Sequence, residues 1–435
     1  MREWLERYFE FAALGTNWRT EILAGVTTFV TMAYIIFVNP SILQETGMPF
    51  RAVVAATCVS AAIGSLMMGV FARYPIALAP GMGLNAYFTY SVVMGLGVPW
   101  TVALGAVFLS GVIFLILTIF GIRQLVVSAI PPELYAAVAS GIGLFIAVIG
   151  LRNSGVVVTS PATLVTLGNL REPNTILALF GFLLTAGLLS RNVRGAMLIG
   201  VLSTTAVGVM LGLVSWQPNT FRLADNSGTA FQLDIRGAIS LGVLEIVFVF
   251  LFVDLFDNVG TLVAVGKKAA LFDEANRIPR LNRILVSDAT ATIVGSMAGT
   301  STVVSYIESA AGVVAGGRSG VTAVVVGLLF VVALFIAPVV GAIPAAATAP
   351  ALILVGSMMA SHMAEIDWTD TVVSIPAFLT ILTIPLTFSI ANGIAFGFMA
   401  FTALAIVRGE FRRVNWVMYV LTALFVLRFA YLGGD

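Results

Sequence analysis

Charged residues are scarce in this chain. Only 10% of its 435 residues are Asp, Glu, Lys or Arg, whereas 59% are hydrophobic. A soluble globular protein carries about 25% charged residues, so the composition excludes a water-soluble enzyme of this size. The 22 basic and 21 acidic residues leave a net charge of +1, which provides no basic surface for nucleic acid.

Cysteine and histidine are almost missing. The single cysteine, Cys58, excludes an intramolecular disulfide framework and a cysteine metal cluster. The single histidine, His362, excludes the multi-histidine sites of zinc hydrolases and redox proteins. The sequence therefore predicts no metal and no cofactor, and we interpret His362 as a solvated residue at the edge of a cytoplasmic loop.

Long apolar runs occupy most of the chain. A chain that crosses lipid must satisfy its backbone hydrogen bonds within helices, and each crossing needs about 20 mostly apolar residues. The sequence therefore predicts an all-α polytopic membrane protein with fourteen spans, and Trp416–Tyr431 fits either a further span or a helix at the interface. The predicted spans, numbered in chain order, are Ile22–Leu43, Ala52–Phe71, Pro75–Gly95, Pro99–Phe120, Leu134–Leu151, Asn174–Ser190, Ala196–Leu213, Ala238–Leu262, Leu281–Ala298, Ser301–Val314, Thr322–Ala337, Ala349–Met363, Val372–Phe388 and Ile390–Val407.

The basic residues orient these spans. If the N-terminus is cytoplasmic, sixteen of the 22 basic residues lie in inside segments and five in outside segments, with Arg428 unassigned. Cytoplasmic loops carry an excess of Lys and Arg, so we expect a protein of the cell (inner) membrane with a cytoplasmic N-terminus. Met1–Asn17 alternates charged and apolar residues, which is typical of an amphipathic helix on the inner leaflet.

Two predicted spans differ from ordinary transmembrane helices. Ala77–Tyr90 reads ALAPGMGLNAYFTY and Met297–Gly312 reads MAGTSTVVSYIESAAG. Both segments are short, begin with Pro/Gly or Gly/Thr/Ser, and carry a tyrosine, Tyr87 or Tyr306, at the same offset. Proline and clustered glycine are unfavourable inside a continuous helix. Spans 3 and 10 are therefore each predicted to be an extended stretch that leads into a half-helix.

A second correspondence indicates duplication. Ile130-Pro131 opens span 5 and Ile343-Pro344 precedes span 12, and each is followed by a glycine, Gly143 or Gly356. A repeat of seven spans is odd in number, so the second copy is inverted relative to the first. Inverted repeats with paired broken helices are typical of secondary transporters whose site lies near the bilayer midplane. The alternative is that the glycines only allow close helix packing.

The chemistry is carried by a few polar residues at membrane depth. Asp254 and Asp257 lie three residues apart in span 8, hence on one helical face. Glu308 follows the predicted break of span 10, and Asn85 occupies the matching half-helix of span 3. Burying a carboxylate at the bilayer centre costs about 2.5–3.5 kcal/mol even on lenient scales. A structural or functional role must therefore account for these acids.

Two interpretations of the acids compete. They could cap broken helices or share a proton between themselves, with no ligand. The functional interpretation starts from the lack of Lys or Arg within these spans, because burial without a cationic neighbour favours the protonated form of a carboxyl group. Such a group is suited to a proton relay, and a carboxylate selects a neutral heterocycle with N–H donors while it repels anions.

Five motifs carry a family resemblance. The chain resembles the AzgA-like purine permeases of the nucleobase-cation symporter-2 (nucleobase–ascorbate transporter) superfamily. The motifs are TTFVTMAYIIFVNP (Thr27–Pro40), APGMGLNAY (Ala79–Tyr87), FVDLFDNVGTL (Phe252–Leu262), GTSTVVSYIESAAGV (Gly299–Val313) and APALILVG (Ala349–Gly356).

The resemblance implies an architecture and an activity. It implies a fourteen-span, seven-plus-seven inverted repeat in homodimers, with elevator-like alternating access and proton-coupled uptake of adenine, guanine or hypoxanthine. It also implies a core domain of residues 21–125 (spans 1–4) and 237–340 (spans 8–11), and a gate domain of residues 126–236 (spans 5–7) and 341–410 (spans 12–14). A cytoplasmic N-terminus of residues 1–20 and a C-terminal helix within residues 411–435 complete the chain.

The resemblance also assigns site residues. The substrate-binding asparagine of span 3 falls on Asn85, the two acids of span 8 on Asp254 and Asp257, and the glutamate of span 10 on Glu308. Comparison with the related uracil permeases adds Tyr306. The coupling proton is expected on Asp254 or Asp257. Which aspartate carries it, and whether Na⁺ replaces H⁺, stays open.

Further features flank the predicted site. Asn258 stands where this family usually has threonine, and Val304-Ser305 replaces a more usual Thr-Thr, so the preferred purine stays open. Tyr87, Phe256 or Tyr306 could stack on the base, or could simply pack in the core.

Alternatives of other kinds are weaker. An intramembrane aspartic protease needs its two acids on different helices, whereas Asp254 and Asp257 share one. Within the transporters, the alternative is a xanthine or uracil permease of the same superfamily. The expected partners are thus a purine nucleobase, a proton, the lipid bilayer and a second copy of the chain, and no nucleic acid.

Overall fold

The computed structural model describes residues 2–121, 129–214, 227–269, 279–336 and 343–431. Helices occupy all fourteen predicted positions, and seven of the described helices are long and apolar enough to cross a bilayer. Short helices precede span 1 at Arg2–Tyr8 and Phe11–Leu14, and span 8 at Ile235–Ala238. The helices of spans 1 to 14 are Trp18–Met32 with Ile35–Leu43, Phe50–Met67, Met82–Ala86 with the π-helix Tyr87–Gly95, Trp100–Ile119, Pro132–Asn153, Pro173–Ser190, Ala196–Met210, Leu241–Ala269, Leu281–Ala298, Ser309–Val314, Gly320–Ile336, Ala345–Ala360, Thr371–Thr387 and Ile390–Val407.

The two broken spans have the predicted form, and they pair with each other. Strand β1, Leu78–Pro80, precedes the half-helix of span 3, and strand β4, Val303–Ser305, precedes that of span 10. The strands pair antiparallel, with Leu78 opposite Ser305 and Pro80 opposite Val303. A second strand pair, the hairpin of β2 (Val157–Ser160) with β3 (Leu164–Leu167), lies between spans 5 and 6, and the all-α prediction did not include it.

Reciprocal contacts reflect the inverted repeat. Span 4 packs on span 9 as span 11 packs on span 2, and span 5 packs on span 13 as span 12 packs on span 6. Spans 5 and 12 also pack on each other, at the paired glycines. A Cβ on Gly143 would lie 2.7 Å from the Gly356 carbonyl oxygen, and one on Gly356 would lie 2.4 Å from the Gly143 carbonyl oxygen. These two positions therefore require glycine for a close backbone approach.

Most contacts fall within two sets of helices. Spans 1–4 and 8–11, the first helix group, are connected by spans 2 and 9, which pack against each other and against spans 11 and 4. Spans 5–7 and 12–14, the second helix group, surround the contact of spans 5 and 12. Contacts between the two groups are sparser and involve the half-helix of span 3, which packs on span 5.

Ion pairs between distant loops fix which ends of the spans share one side. Glu10, before span 1, pairs with Arg73 at 3.2 Å and Arg280 at 3.3 Å. Those arginines follow spans 2 and 8, so an even number of crossings separates the three residues. Asp370, between spans 12 and 13, pairs with Arg413, after span 14, at 2.6 Å. The Arg413 guanidinium and the Val372 backbone N–H hold the pKa of the Asp370 carboxyl below its ordinary value.

The C-terminal helix Trp416–Tyr431 runs antiparallel along span 14. Thr422 lies 2.8 Å from Thr402, and further along the rings of Phe425 and Phe398 are in contact. Arg428 then forms an ion pair with Glu245, near the start of span 8, at 2.5 Å. The helix therefore extends toward the opposite side from Arg413, and the sequence analysis did not identify Glu245 as its partner.

Glu21 joins span 1 to the start of span 11. Its buried carboxylate accepts hydrogen bonds from the backbone N–H groups of Arg318 (2.9 Å) and Ser319 (3.1 Å). It also accepts from the hydroxyl groups of Thr322 (2.6 Å) and Thr16 (2.7 Å). A carboxylate at a helix N-terminus satisfies backbone donors that lack a partner within the helix and interacts favourably with the helix dipole.

We expect Glu21→Ala to lower the melting temperature of the detergent-solubilised protein by several degrees. A buried group left without its hydrogen-bond partner costs about 1–3 kcal/mol, and four donors lose their acceptor. Intrinsic fluorescence during heating measures the change. Glu172→Ala is the matched control, because Glu172 precedes span 6 without a side-chain capping bond. Equal shifts for both variants would contradict this role of Glu21.

Candidate functional site

The candidate site is built on the β1–β4 pair, where the chain is not helical. The Gly81 N–H donates to the Thr302 carbonyl oxygen at 3.0 Å, and the Tyr306 N–H donates to the Ala77 carbonyl oxygen at 2.9 Å. A half-helix follows each strand, from Met82 after β1 and from Ser309 after β4. Irregular backbone at membrane depth is tolerated where protein buries it or where it lines a cavity, and both conditions hold here.

Hydroxyl groups satisfy the outer edges of the two strands. The Ser65 hydroxyl, from span 2, contacts both the N–H and the carbonyl oxygen of Leu78 at 3.0 Å. The Thr292 hydroxyl, from span 9, contacts the carbonyl oxygen of Val303 at 2.9 Å and its N–H at 3.3 Å. Spans 2 and 9 occupy equivalent positions in the two repeats, so the same device holds both breaks.

A cavity lies between these breaks and the second helix group. Its first wall, from spans 3, 8 and 10, carries the side chains that can form hydrogen bonds, and its second wall, from spans 5 and 12, is mainly apolar. Of the lining residues that the structure describes, none is a lysine or an arginine. The lining residues are Gly81, Met82, Gly83, Ala139, Ile142, Thr261, Val304, Ser305, Tyr306, Ile307, Glu308, Val355, Met359 and His362.

Glu308 is the acid among the described residues that line this cavity. It directly precedes the half-helix Ser309–Val314, and its Oε1 accepts a hydrogen bond from the Tyr34 hydroxyl at 2.6 Å. Tyr34 is fully buried in span 1, at the interruption between Trp18–Met32 and Ile35–Leu43. The tyrosine therefore holds one carboxylate oxygen, and the same contact ties span 1 to span 10.

Tyr306 lies beside Glu308 in the cavity wall. Its hydroxyl donates to the Pro80 carbonyl oxygen at 2.6 Å, so the ring is fixed across the strand pair. Tyr87, at the corresponding offset in span 3, is buried instead against the ring of Phe250 at 5.1 Å between centroids. The two tyrosines therefore have different surroundings, and Tyr306 alone of the two lines the cavity.

Asn85 is fully buried in the half-helix of span 3 and does not line the cavity. Its Oδ1 accepts a hydrogen bond from the Ser301 hydroxyl, so it links the two breaks. Its Nδ2 has no hydrogen-bond partner among the described residues. The structure thus places Asn85 next to the break of span 10 and outside the cavity wall.

Asp254 belongs to a buried cluster of carboxylates beside β4. The Asn258 Nδ2 lies 2.7 Å from Asp254 Oδ1 and 2.7 Å from Asp288 Oδ2, so one amide donates to two acids. The Asn258 Oδ1 accepts the Ser305 N–H at 3.1 Å. The cluster therefore contacts the strand that leads to Glu308, although Asp254 itself does not line the cavity.

Two predicted residues cannot be placed. Asp257 lies in the helix Leu241–Ala269, but its side chain is outside the described part of the structure, and so is that of Phe256.

Sequence reasoning missed three residues of the site. Asp288 carried a usable signal, because it is an acid inside the apolar span 9. Tyr34 carried little signal, since a tyrosine in an apolar span is common. His362 was expected in solvent, but its side chain is only 18% exposed and lines the cavity, so that interpretation was wrong. Among the described residues, no group of three or more His, Cys, Asp or Glu could hold a metal ion.

Comparison with known proteins agrees with this architecture. A family model described as Permease family (Xan_ur_permease) matches residues 19–422. The chain belongs to this permease family. Among curated relatives, adenine permease AdeP of Escherichia coli (strain K12) is 44% identical over 430 residues, covering 99% of this chain and 97% of AdeP. Guanine/hypoxanthine permease PbuG of Bacillus subtilis (strain 168) is 43% identical over 441 residues, covering 98% and 100%.

A more distant relative completes the comparison. Nucleobase transporter PlAzg2 of Paenibacillus larvae subsp. larvae is 34% identical over 391 residues, covering 89% of this permease and 77% of PlAzg2. The resemblance to AzgA-like permeases is confirmed. Since the relatives are named permeases or transporters, the prediction that the chain is a membrane transporter and not an enzyme is confirmed as well.

Solved structures share the fold at low identity. The transmembrane domain of a cyanobacterium bicarbonate transporter, BicA, matches with a TM-score of 0.64 at 15% identity, covering 87% of this chain and 97% of that domain. The murine anion transporter Slc26a9 in the inward-facing state matches with a TM-score of 0.61 at 12% identity, covering 94% and 72%. These likenesses establish the fold of the permease, and the predicted polytopic helical architecture is confirmed.

Proposed function

We propose that the permease takes up purine nucleobases, such as adenine, guanine or hypoxanthine, together with protons. The observation that carries this proposal is the position of Glu308 in a cavity between the two broken spans, where the described lining residues include no lysine or arginine. An uncompensated carboxylate attracts N–H donors and repels anions. The purine and nucleobase names of the relatives AdeP, PbuG and PlAzg2 support the same class of substrate.

Binding of the base follows from the geometry of Glu308. Tyr34 occupies one carboxylate oxygen, which leaves the other to accept an N–H of the base. The backbone N–H groups at the start of the span 3 half-helix supply donors for ring nitrogen or carbonyl acceptors. The first N–H groups of the span 10 half-helix already donate to the carbonyl oxygens of Tyr306, Ile307 and Glu308. The Tyr306 ring, fixed by its bond to Pro80, is placed to stack on the planar base, whereas Asn85 acts by holding the two breaks together.

Proton coupling is assigned to the acidic cluster. Two carboxylates that share one amide donor in a buried site are stabilised when one of them is protonated, because two like charges at this distance repel. We propose that Asp254 takes the coupling proton, with Asp288 as its neighbour and Asn258 as the connection to β4. Asp257 stays a candidate, as does Na⁺ in place of H⁺.

The two helix groups provide the moving parts of the proposal. The first group carries both broken spans and every acid of the site, and corresponds to the core domain. The second group corresponds to the gate domain, and the sparser contacts between the groups support elevator-like movement of the core. We further propose a homodimer in the inner membrane with a cytoplasmic N-terminus, on the side where the basic loops meet Glu10 and Asp370.

Proteoliposomes containing the purified permease test the function. We expect an imposed inward proton gradient to drive accumulation of radiolabelled hypoxanthine, adenine or guanine inside the proteoliposomes. A protonophore should abolish this accumulation. Xanthine and uracil, as competitors, distinguish the alternative permeases of the same superfamily. Uptake of bicarbonate or sulfate without uptake of any nucleobase would contradict the substrate class, and accumulation unaffected by the protonophore would contradict proton coupling.

A further inference from the structure

The two walls of the cavity differ in their capacity for hydrogen bonding. The first wall offers Glu308, Ser305, Thr261 and the backbone of the breaks. Of the second-wall residues that line the cavity, four are apolar and one, His362, can form hydrogen bonds. A base bound by Glu308 therefore meets one polar side chain, His362, among the described residues of the opposite wall.

The surroundings of His362 assign its ring nitrogens. The residue lies in the turn Ser361–Glu365, directly after the helix of span 12. Its Nδ1 is 2.9 Å from Glu365 Oε1. An ionised carboxylate only accepts hydrogen bonds, so Nδ1 carries the hydrogen, and in the neutral ring Nε2 is an acceptor.

Purine bases carry N–H groups on more than one edge. An acceptor on each wall fits a flat ring that donates at two separated positions, one to Glu308 and one across the cavity. We propose that His362 is a specificity-determining residue, whose Nε2 accepts an imidazole-edge N–H of the bound base from the second wall. The ligand class is a neutral nitrogen heterocycle with N–H donors on two edges. This inference rests on the proposed function.

A chemical double-mutant cycle tests the assignment. Dissociation constants are measured by isothermal titration calorimetry on the full-length permease in detergent, for hypoxanthine and its 7-methyl and 9-methyl analogues. A net hydrogen bond between neutral groups corresponds to a roughly three- to tenfold change in affinity. We expect His362→Ala to weaken hypoxanthine binding by this factor, and to leave binding of the methyl analogue that lacks the recognised N–H unchanged.

Two further variants keep the test decisive. His362→Gln retains an acceptor and should preserve part of the discrimination between hypoxanthine and its methyl analogues. This variant provides the test if His362→Ala does not fold. Ser361→Ala, an exposed residue of the same turn, is the matched control and should bind all three ligands as the wild type does. Unchanged hypoxanthine binding by His362→Ala overturns the assignment, and so does an equal loss for hypoxanthine and both analogues. A wild-type protein that binds no purine overturns the proposed function itself.

Discussion

Glu308→Gln is expected to reduce hypoxanthine uptake at least a hundredfold while the protein stays folded in the membrane. The carboxylate offers two acceptor oxygens, of which Tyr34 occupies one at 2.6 Å. An amide has a single acceptor oxygen. If that oxygen accepts the base N–H, the amide N–H₂ donates to the Tyr34 oxygen and the Tyr34 hydroxyl hydrogen loses its acceptor; if it accepts from Tyr34 instead, the N–H₂ faces the donor of the base. Hydrogen bonds to charged groups contribute about 1.5–3 kcal/mol each, and the substitution removes the charge from both bonds and the acceptor from one of them, which accounts for this effect.

The measurement is the initial rate of labelled hypoxanthine uptake into proteoliposomes, with size-exclusion chromatography and thermal unfolding as checks of folding. Tyr34→Phe keeps the carboxylate and removes one bond, so we expect a smaller effect, about fivefold, consistent with a single net hydrogen bond. Glu172→Gln, at an exposed acid before span 6, serves as the control. Wild-type uptake by Glu308→Gln would remove Glu308 from the site.

The broken spans were predictable because their cause is local. Pro80 and the glycines close to it disfavour a continuous helix, and the segment that begins at Gly299 opens on a glycine followed by Thr and Ser. The pairing of β1 with β4 was not predictable in the same way. Each strand has only three residues, too few for a periodic pattern, and the partners lie more than two hundred positions apart in the chain.

The acids show the same division between local and distant information. Glu308 was predicted because a carboxyl group in an apolar run has few structural reasons to be there. The same criterion also holds for Asp288 in predicted span 9 and Glu245 in predicted span 8, but the sequence analysis did not identify either residue. Their partners, Asn258 and Arg428, are fixed only by the packing of the helices.

His362 was misplaced for a physical reason. Hydropathy separates span 12 from the polar turn that follows it, and a lone histidine in such a turn is usually solvated. The chain instead continues as the turn Ser361–Glu365, which packs against span 5 and brings the ring to the cavity. A tertiary contact of this kind leaves no pattern in the sequence.

Asn258→Ala is expected to abolish transport and to destabilise the protein. The amide donates to Asp254 and Asp288 at 2.7 Å each and accepts the Ser305 N–H, all at positions that are at most 3% exposed. The alanine variant removes this shared donor from two neighbouring acids and the acceptor from β4. Each buried group left unsatisfied costs about 1–3 kcal/mol. We therefore expect a fall of many degrees in melting temperature and loss of uptake in proteoliposomes.

Two further substitutions separate repulsion between the acids from the loss of contact with β4. The double variant Asn258→Ala, Asp288→Asn replaces one of the two acids with a neutral amide, so its thermal stability should partly recover. Its transport activity should not recover if the acid pair exchanges the coupling proton. Asn258→Thr offers one hydroxyl donor and should retain intermediate stability, because it can bond one carboxylate but not both. Asn153→Ala, whose amide makes only longer contacts of 3.3 and 3.5 Å, is the control. If Asn258→Ala were as stable and as active as Asn153→Ala, the cluster would have no part in transport. A buried amide whose removal changes neither folding nor uptake cannot connect the two acids to Glu308.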